Sequence, residues 1–118
     1  MGMTDALTQK KCQPCEGIGK PLETQRVAEY LPQTPGWTVA ADGKSILREY
    51  VMKNFLAAVE AIQRIATVAE AENHHPDVHL TGYRKLNIVL TTHALGGLSE
   101  NDFILAAKVN ELPMELKK

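Results

Sequence analysis

The sequence predicts an α+β fold of two layers, in which helices cover one face of a four-stranded sheet. The first observation is the order of periodic segments, which is helix, hairpin, long helix, two strands and helix along 118 residues. The second is the alternation of apolar and polar residues in three strands, which is typical of a sheet with one face open to solvent. The helices then cover the opposite face, which makes two layers.

The first helix and the hairpin come first in the chain. Apolar residues recur near helical spacing over residues 22–31, and prolines stand just before and just after this stretch. Trp37 opens a short strand, and Asp42-Gly43 is a sequence typical of a hairpin turn. The partner strand is predicted over residues 45–52.

A long helix follows the hairpin. Asn54 can cap its start, the helix is predicted to reach about Glu72, and Pro76 prevents it from continuing. The apolar residues that recur at intervals of three and four are Phe55, Leu56, Val59, Ile62, Ile65, Ala66, Val68 and Ala69. This spacing predicts an amphipathic helix.

The last elements are two strands and a helix. The strands are predicted over residues 77–82 and 86–91, with a turn that begins at Gly82. Ser99 starts the final helix with a sequence like a capping box, although Asp102 stands where Glu or Gln is usual.

The composition limits the classes of function. The formal net charge is −1, without the basic excess that a nucleic-acid partner or an anionic membrane surface requires. No apolar run approaches the ~18 residues of a membrane span, and the first twenty residues lack the apolar core of a signal peptide. We therefore expect a cytoplasmic protein that binds neither nucleic acid nor membrane.

The N-terminal segment carries both cysteines, Cys12 and Cys15. Such a pair could be a redox dithiol or half of a zinc site, but no second cysteine pair exists and the flanking residues are typical of a loop. We predict an N-terminal arm over residues 1–20, flexible or loosely docked, and a single domain over residues 21–118.

All four histidines fall between positions 74 and 93, close to several acidic residues. Histidine can both give and take a proton near neutral pH, so this region is the predicted reactive site. His74 and His75 adjoin where the long helix ends, and they should point in different directions. His79 lies at an exposed position of a strand, whereas His93 follows the last strand. A zinc site with three histidine ligands is the alternative, although the spacing of known zinc motifs is absent.

At these residues the chain resembles the pterin-4a-carbinolamine dehydratases. The residues that carry the resemblance are Glu70, His74-His75-Pro76, Tyr83, His93 and Asp102. Trp37 and the stretch 98–102 also look like this family, and the leader around Cys12 resembles its bacterial members. The resemblance extends over nearly the whole chain. One departure is Asn101, where many relatives carry arginine, so a contact of that arginine with the substrate is not expected here.

The resemblance implies a four-stranded antiparallel sheet and a homodimer or homotetramer. It implies that the small-molecule substrate is 4a-hydroxytetrahydropterin, which loses water to give quinonoid dihydropterin. The reaction recycles the pterin of aromatic amino-acid hydroxylases, which suggests a link to phenylalanine hydroxylase. No metal and no organic cofactor is implied.

The resemblance also implies roles for individual residues. His74 and His93 would transfer protons, and His75 would orient the substrate. The residues that would support the histidines or flank the pterin ring are Glu70, Asn73, Pro76, Thr92 and Ala94. Asp102 would belong to the pocket or serve as a helix cap. Two alternatives remain, which are a binding or assembly module for another protein and a dehydratase acting on another pterin, such as that of the molybdenum cofactor.

Overall fold

The computed structural model describes residues 6–14 and 18–118, and these form four helices and one four-stranded sheet. The helices are α1 (Ala6–Gln9), α2 (Thr24–Tyr30), α3 (Phe55–Glu72) and α4 (Glu100–Asn110), and the strands are β1 (Thr38–Val39), β2 (Ile46–Val51), β3 (Asp77–Thr81) and β4 (Lys85–Leu90). Two short 3-10 helices cover Leu31–Gln33 and His93–Leu95. Within this part of the chain, no helix is both long and apolar enough to cross a membrane.

The sheet has the order β1-β2-β4-β3, and every neighbouring pair is antiparallel. The predicted α+β class is therefore confirmed. Side chains alternate as expected, because Ile46, Tyr50, Leu86 and Ile88 are buried on one face while Glu49 is exposed on the other. The sheet thus presents one face to the helices, and the turn that begins at Gly82 joins β3 to β4 with positive φ angles at Gly82 and Tyr83.

The long helix α3 buries only part of its predicted apolar stripe, because Ile65 and Ala69 are buried while Ile62 and Val68 are partly buried against the core. Its cap is the predicted one, since the Asn54 side chain accepts a hydrogen bond from the Ala57 N–H at 2.8 Å. However, Phe55 and Leu56 are 56% and 65% exposed, and the buried side chains are Ala57, Ala58, Ala61, Ile65, Ala69 and Glu72. The alanines are short, so the backbone of α3 can approach its neighbours closely, and the larger apolar side chains at its start remain outside.

The described part of the N-terminal segment contains a helix that the sequence pattern did not indicate. α1 is a single turn, which is too short to show a periodicity, yet its Leu7 is only 2% exposed and belongs to the core. α1 packs against α4, of which eight of eleven residues are buried. Cys15 lies outside the described residues.

Candidate active site

His74 is turned into the protein by the residue that ends α3. Asn73 has a left-handed backbone conformation, with φ 54° and ψ 39°, and the His74 N–H then donates to the Ala69 carbonyl at 3.2 Å. Asparagine is one of the few residues other than glycine that ends helices in this way. The His74 side chain becomes buried, and its Nε2 lies 2.7 Å from Oδ1 of Asp102. This contact leaves Nδ1 as the ring atom that can serve a ligand.

Asp102 is fully buried and saturated with hydrogen bonds. Its Oδ2 accepts from the Thr92 hydroxyl and from the Ser99 N–H, both at 2.9 Å, while the hydroxyls of Thr92 and Ser99 are 2.7 Å apart. The capping box predicted for α4 is present. Buried carboxylates require such compensation. The helix cap expected of Asp102 is therefore present, since one carboxylate oxygen completes the capping box of α4 while the other contacts His74.

His93 and His74 share a cavity. His93 begins the 3-10 helix that follows β4, and its side chain is exposed. The cavity is ≈ 200 Å³ in volume and is lined by Asn73, His74, His75, Thr91, Thr92 and His93. Three of the four histidines therefore meet at one place, which we call the histidine cavity. His79 faces solvent on β3, and Tyr83 lies at the far end of that strand.

His75 also lines the histidine cavity, but its hydrogen-bonding partner is the exposed Glu70, whereas that of His74 is the buried Asp102. The His75 side chain is 55% exposed, and its Nε2 lies 2.6 Å from Oε2 of the still more exposed Glu70. An ion pair of this exposure contributes little to stability. Glu70 and Pro76 line a separate apolar cavity of ≈ 160 Å³ beside α3, which shares only His75 with the histidine cavity. Glu70 and Pro76 were both predicted as site residues, but neither lines the histidine cavity.

A third and larger cavity, of ≈ 530 Å³, also adjoins His74. Its lining residues are Cys12, Gln13, Pro14, Glu72, Asn73, His74, Ala94 and Asn101. We call this the arm cavity, since its first three residues come from the N-terminal segment. Sequence reasoning missed Thr91, Glu72 and the arm residues as candidates. Thr91 adjoins the predicted Thr92 and could have been included on that ground. No local pattern indicates that the arm contacts Glu72 and Asn101, which are far away along the chain.

The electrostatics of the arm cavity are dominated by Glu72. Oε2 of Glu72 lies 2.6 Å from the Lys108 ammonium, and Oε1 accepts from the Cys12 N–H at 2.8 Å. Burial alone would raise the pKa of the Glu72 carboxyl, but these hydrogen bonds and the Lys108 charge lower it overall. Burial, and secondly the charge of Glu72, raise the pKa of the Cys12 thiol to about 12. At neutral pH the site thus holds a carboxylate and an unreactive thiol.

In the parts of the chain that are described, no three His, Cys, Asp or Glu side chains form a group that could hold a metal ion. The histidines instead contact carboxylates, as His74 does with Asp102 and His75 with Glu70. Such pairs can hold an imidazole in a fixed orientation and can accept or donate protons.

Comparison with known sequences identifies the family. The family model described as pterin 4 alpha carbinolamine dehydratase matches residues 20–112. The chain belongs to this family. A protein of Halorhodospira halophila, named provisionally as a pterin-4-alpha-carbinolamine dehydratase, is 44% identical over 107 residues, which cover 91% of this chain and 97% of the relative. Pterin-4-alpha-carbinolamine dehydratase 2 of Arabidopsis thaliana, a mitochondrial protein, is 43% identical over 92% of this chain and 60% of its own length.

Solved structures give the same result for the fold of this pterin carbinolamine dehydratase family member. A transcriptional coactivator/pterin dehydratase from Brucella melitensis superposes with a TM-score of 0.72 at 28% identity, over 77% of this chain and 96% of the other. A pterin dehydratase-like protein described as a RuBisCO assembly factor of the alpha-carboxysome gives a TM-score of 0.53 at 18% identity, over 64% of this chain and 86% of the other. The second likeness concerns the fold alone.

Proposed function

We propose that this family member is an enzyme that dehydrates 4a-hydroxytetrahydropterin to quinonoid dihydropterin and water. The observation that carries the proposal is the meeting of His74, backed by the buried Asp102, and His93 at one cavity. In the reaction, the C–O bond at the hydroxyl-bearing carbon breaks and the hydroxyl leaves as water after it receives a proton. The neighbouring ring nitrogen loses its proton, and the C=N bond forms. Two groups that exchange protons near neutral pH suffice for these steps.

The surroundings of the two histidines suggest which one accepts a proton. His74 is paired with the buried carboxylate of Asp102, which stabilises the protonated imidazole, so we assign it to the ring-nitrogen proton. His93 is exposed and lines the same cavity, so we assign it to the other step, in which it donates a proton to the leaving hydroxyl. His75, held by Glu70, would orient the substrate.

The other predicted residues have supporting roles in this proposal. Asn73, Thr92 and Ala94 line the two cavities that adjoin His74 and would flank the pterin ring. Pro76 would restrict the backbone after His75, and Glu70 would act only through its contact with His75. The proposed reaction requires no metal and no organic cofactor, because the elimination of water involves no change that general acid–base catalysis cannot assist.

The proposal extends to the biological setting. The enzyme would recycle the pterin of aromatic amino-acid hydroxylases, and phenylalanine hydroxylase would supply its substrate. We propose a cytoplasmic location. The direct test is turnover, since the purified protein should form quinonoid dihydropterin faster than the spontaneous reaction does. An assembly module or an enzyme for another pterin would leave that rate unchanged.

We propose that the protein is a homodimer or homotetramer. Among the residues that the structure describes, β3 forms an edge of the sheet, and exposed apolar side chains surround the start of α3, including Val51, Leu56 and Leu116. Both features are typical of surfaces that pair with another chain. α4, in contrast, is mostly buried within its own chain and offers little surface for assembly.

Light scattering should give two or four times the chain mass of 13.0 kDa at micromolar concentration. Leu56→Asp, at an exposed apolar position of α3, should reduce the assembly, whereas Thr67→Asp, at an exposed polar position of the same helix, should not. A wild-type mass near that of one chain would contradict the prediction.

A further inference from the structure

The arm cavity adjoins the histidine cavity, because Asn73 and His74 line both. The histidine cavity, at ≈ 200 Å³, is the smaller of the two, and the arm cavity measures ≈ 530 Å³. A ligand ring placed between His74 and His93 therefore has its largest adjoining space on the side of residues 12–14, because the apolar cavity next to His75 measures only ≈ 160 Å³. Small-molecule sites commonly span ~300–1,000 Å³, so the two cavities together have an ordinary size for a ligand with a substituent.

Residues 12–14 are held as one wall of the arm cavity by two buried side chains. The Asn101 amide donates to the Gln13 carbonyl at 2.7 Å, and its Oδ1 accepts from the Gln13 N–H at 2.9 Å. Glu72 accepts from the Cys12 N–H at 2.8 Å. Asn101 is 2% exposed and Glu72 is 8% exposed, so solvent competes little for these contacts. Leu7, in the core, anchors the segment further upstream.

We propose that this wall is part of the substrate site and receives the substituent carried by the pterin ring, with Asn101 as the residue that positions it. The proposal rests on the proposed function and names the class of substrate. The lining includes the Asn73 amide, the Glu72 carboxylate and the Gln13 carbonyl beside the Cys12 thiol, and each of these carboxylate and carbonyl oxygens already accepts one hydrogen bond and has a second lone pair for a ligand hydroxyl. These groups are mostly hydrogen-bonding, so a short hydroxylated substituent should bind better than a methyl group. Asn101 contacts the arm through two hydrogen bonds to the Gln13 backbone, and these contacts are the means by which it would position the wall.

The Cys12 thiol reports whether the wall is in place. In the docked arm, burial and the charge of Glu72 keep the thiol protonated, and the thiolate is the reactive form. In a Cys15→Ser background, reaction with 5,5′-dithiobis(2-nitrobenzoate) at pH 8 should be slow for the wild-type arm. Asn101→Leu keeps the volume and removes both hydrogen bonds to Gln13, so it should accelerate the reaction at least about tenfold.

Binding of two pterins tests the proposal. Quenching of pterin fluorescence gives Kd values for biopterin, which carries a hydroxylated three-carbon chain, and for 6-methylpterin. Asn101→Leu should weaken biopterin binding about tenfold, equivalent to ~1.4 kcal/mol, and change 6-methylpterin binding less than about twofold. Gln13→Pro, which removes one N–H outside the core, should shift selectivity in the same direction. Lys11 is an exposed neighbour that does not line the cavity, so Lys11→Ala should alter the Kd of neither pterin.

Each outcome decides the proposal. An unchanged thiol rate in Asn101→Leu overturns the positioning role, and equal effects on both pterins overturn the wall as a determinant of specificity. A wild type that dehydrates its substrate but gives either result retains the proposed function without this inference. A wild type with the expected selectivity and no dehydratase activity supports the wall and refutes the reaction. A protein that binds neither pterin refutes both.

Discussion

Alanine at His74 is expected to lower kcat by about 10²- to 10⁴-fold, and alanine at His93 by a similar factor, while the double variant loses little more than either single one. The reason is that the two imidazoles share one cavity and serve one elimination, in which a proton is given and another is taken. Residues that act as a unit give non-additive losses. The measurement is kcat of both single variants and the double variant.

His79→Ala is the matched control for these substitutions. His79 is exposed on β3 and does not line the histidine cavity, so its removal should leave kcat within about twofold. Full activity in His74→Ala or His93→Ala would show that the roles assigned to these residues are wrong. Losses that multiply in the double variant would contradict a shared step. Chelating agents should not change the activity of the wild type.

Asp102→Asn is expected to lower kcat by about 10²- to 10⁴-fold, comparable to loss of a histidine, although the side chain keeps its size. The amide would place an N–H where His74 Nε2 now meets a carboxylate oxygen, or would give up the contacts of Oδ2 with Thr92 and Ser99. In either arrangement no carboxylate remains to stabilise a protonated His74. Asp102→Ala should also reduce the free energy of unfolding by about 2–4 kcal/mol, because the cap and a buried network are lost.

Asn54→Ala is the control that distinguishes a loss of stability from a loss of catalysis in the Asp102 variants. Asn54 caps α3 at the end distant from His74, and its loss should cost about 1 kcal/mol of unfolding free energy without changing kcat. Urea unfolding and turnover of the three variants provide the measurement. If Asp102→Asn lowered stability but retained full turnover, Asp102 would be a helix cap and nothing more.

Features with a local cause were predictable from the sequence. Asn54, the turn at Gly82 and the Ser99–Asp102 box are each formed by residues within a few positions of one another, and all three are present. The meeting of His74 with His93 depends on α3 and β4 ending at the same place, and the family resemblance, not periodicity, indicated it. That resemblance could not show that Asp102 contacts His74 and caps α4 at once.

Other features depend on contacts that no local pattern encodes. Gln13 and Asn101 are 88 positions apart, and Cys12 and Glu72 are 60 apart. The spacing of residues within a helix or strand therefore could not predict that the arm docks onto these side chains. The buried face of α3 was misjudged because alanine is counted as weakly apolar, although its small size allows close packing. Phe55 and Leu56 looked like core residues because they are large and apolar, yet both are exposed.

The most direct test of the proposed activity is stopped-flow mixing of the purified protein with 4a-hydroxytetrahydropterin, followed by absorbance of the quinonoid product. The wild type should raise the rate of dehydration in proportion to its concentration, well above the spontaneous rate, and the His74→Ala/His93→Ala double variant should not. An unchanged rate with the wild type, at concentrations where the protein is folded and assembled, would contradict the assignment of dehydratase activity to this cavity.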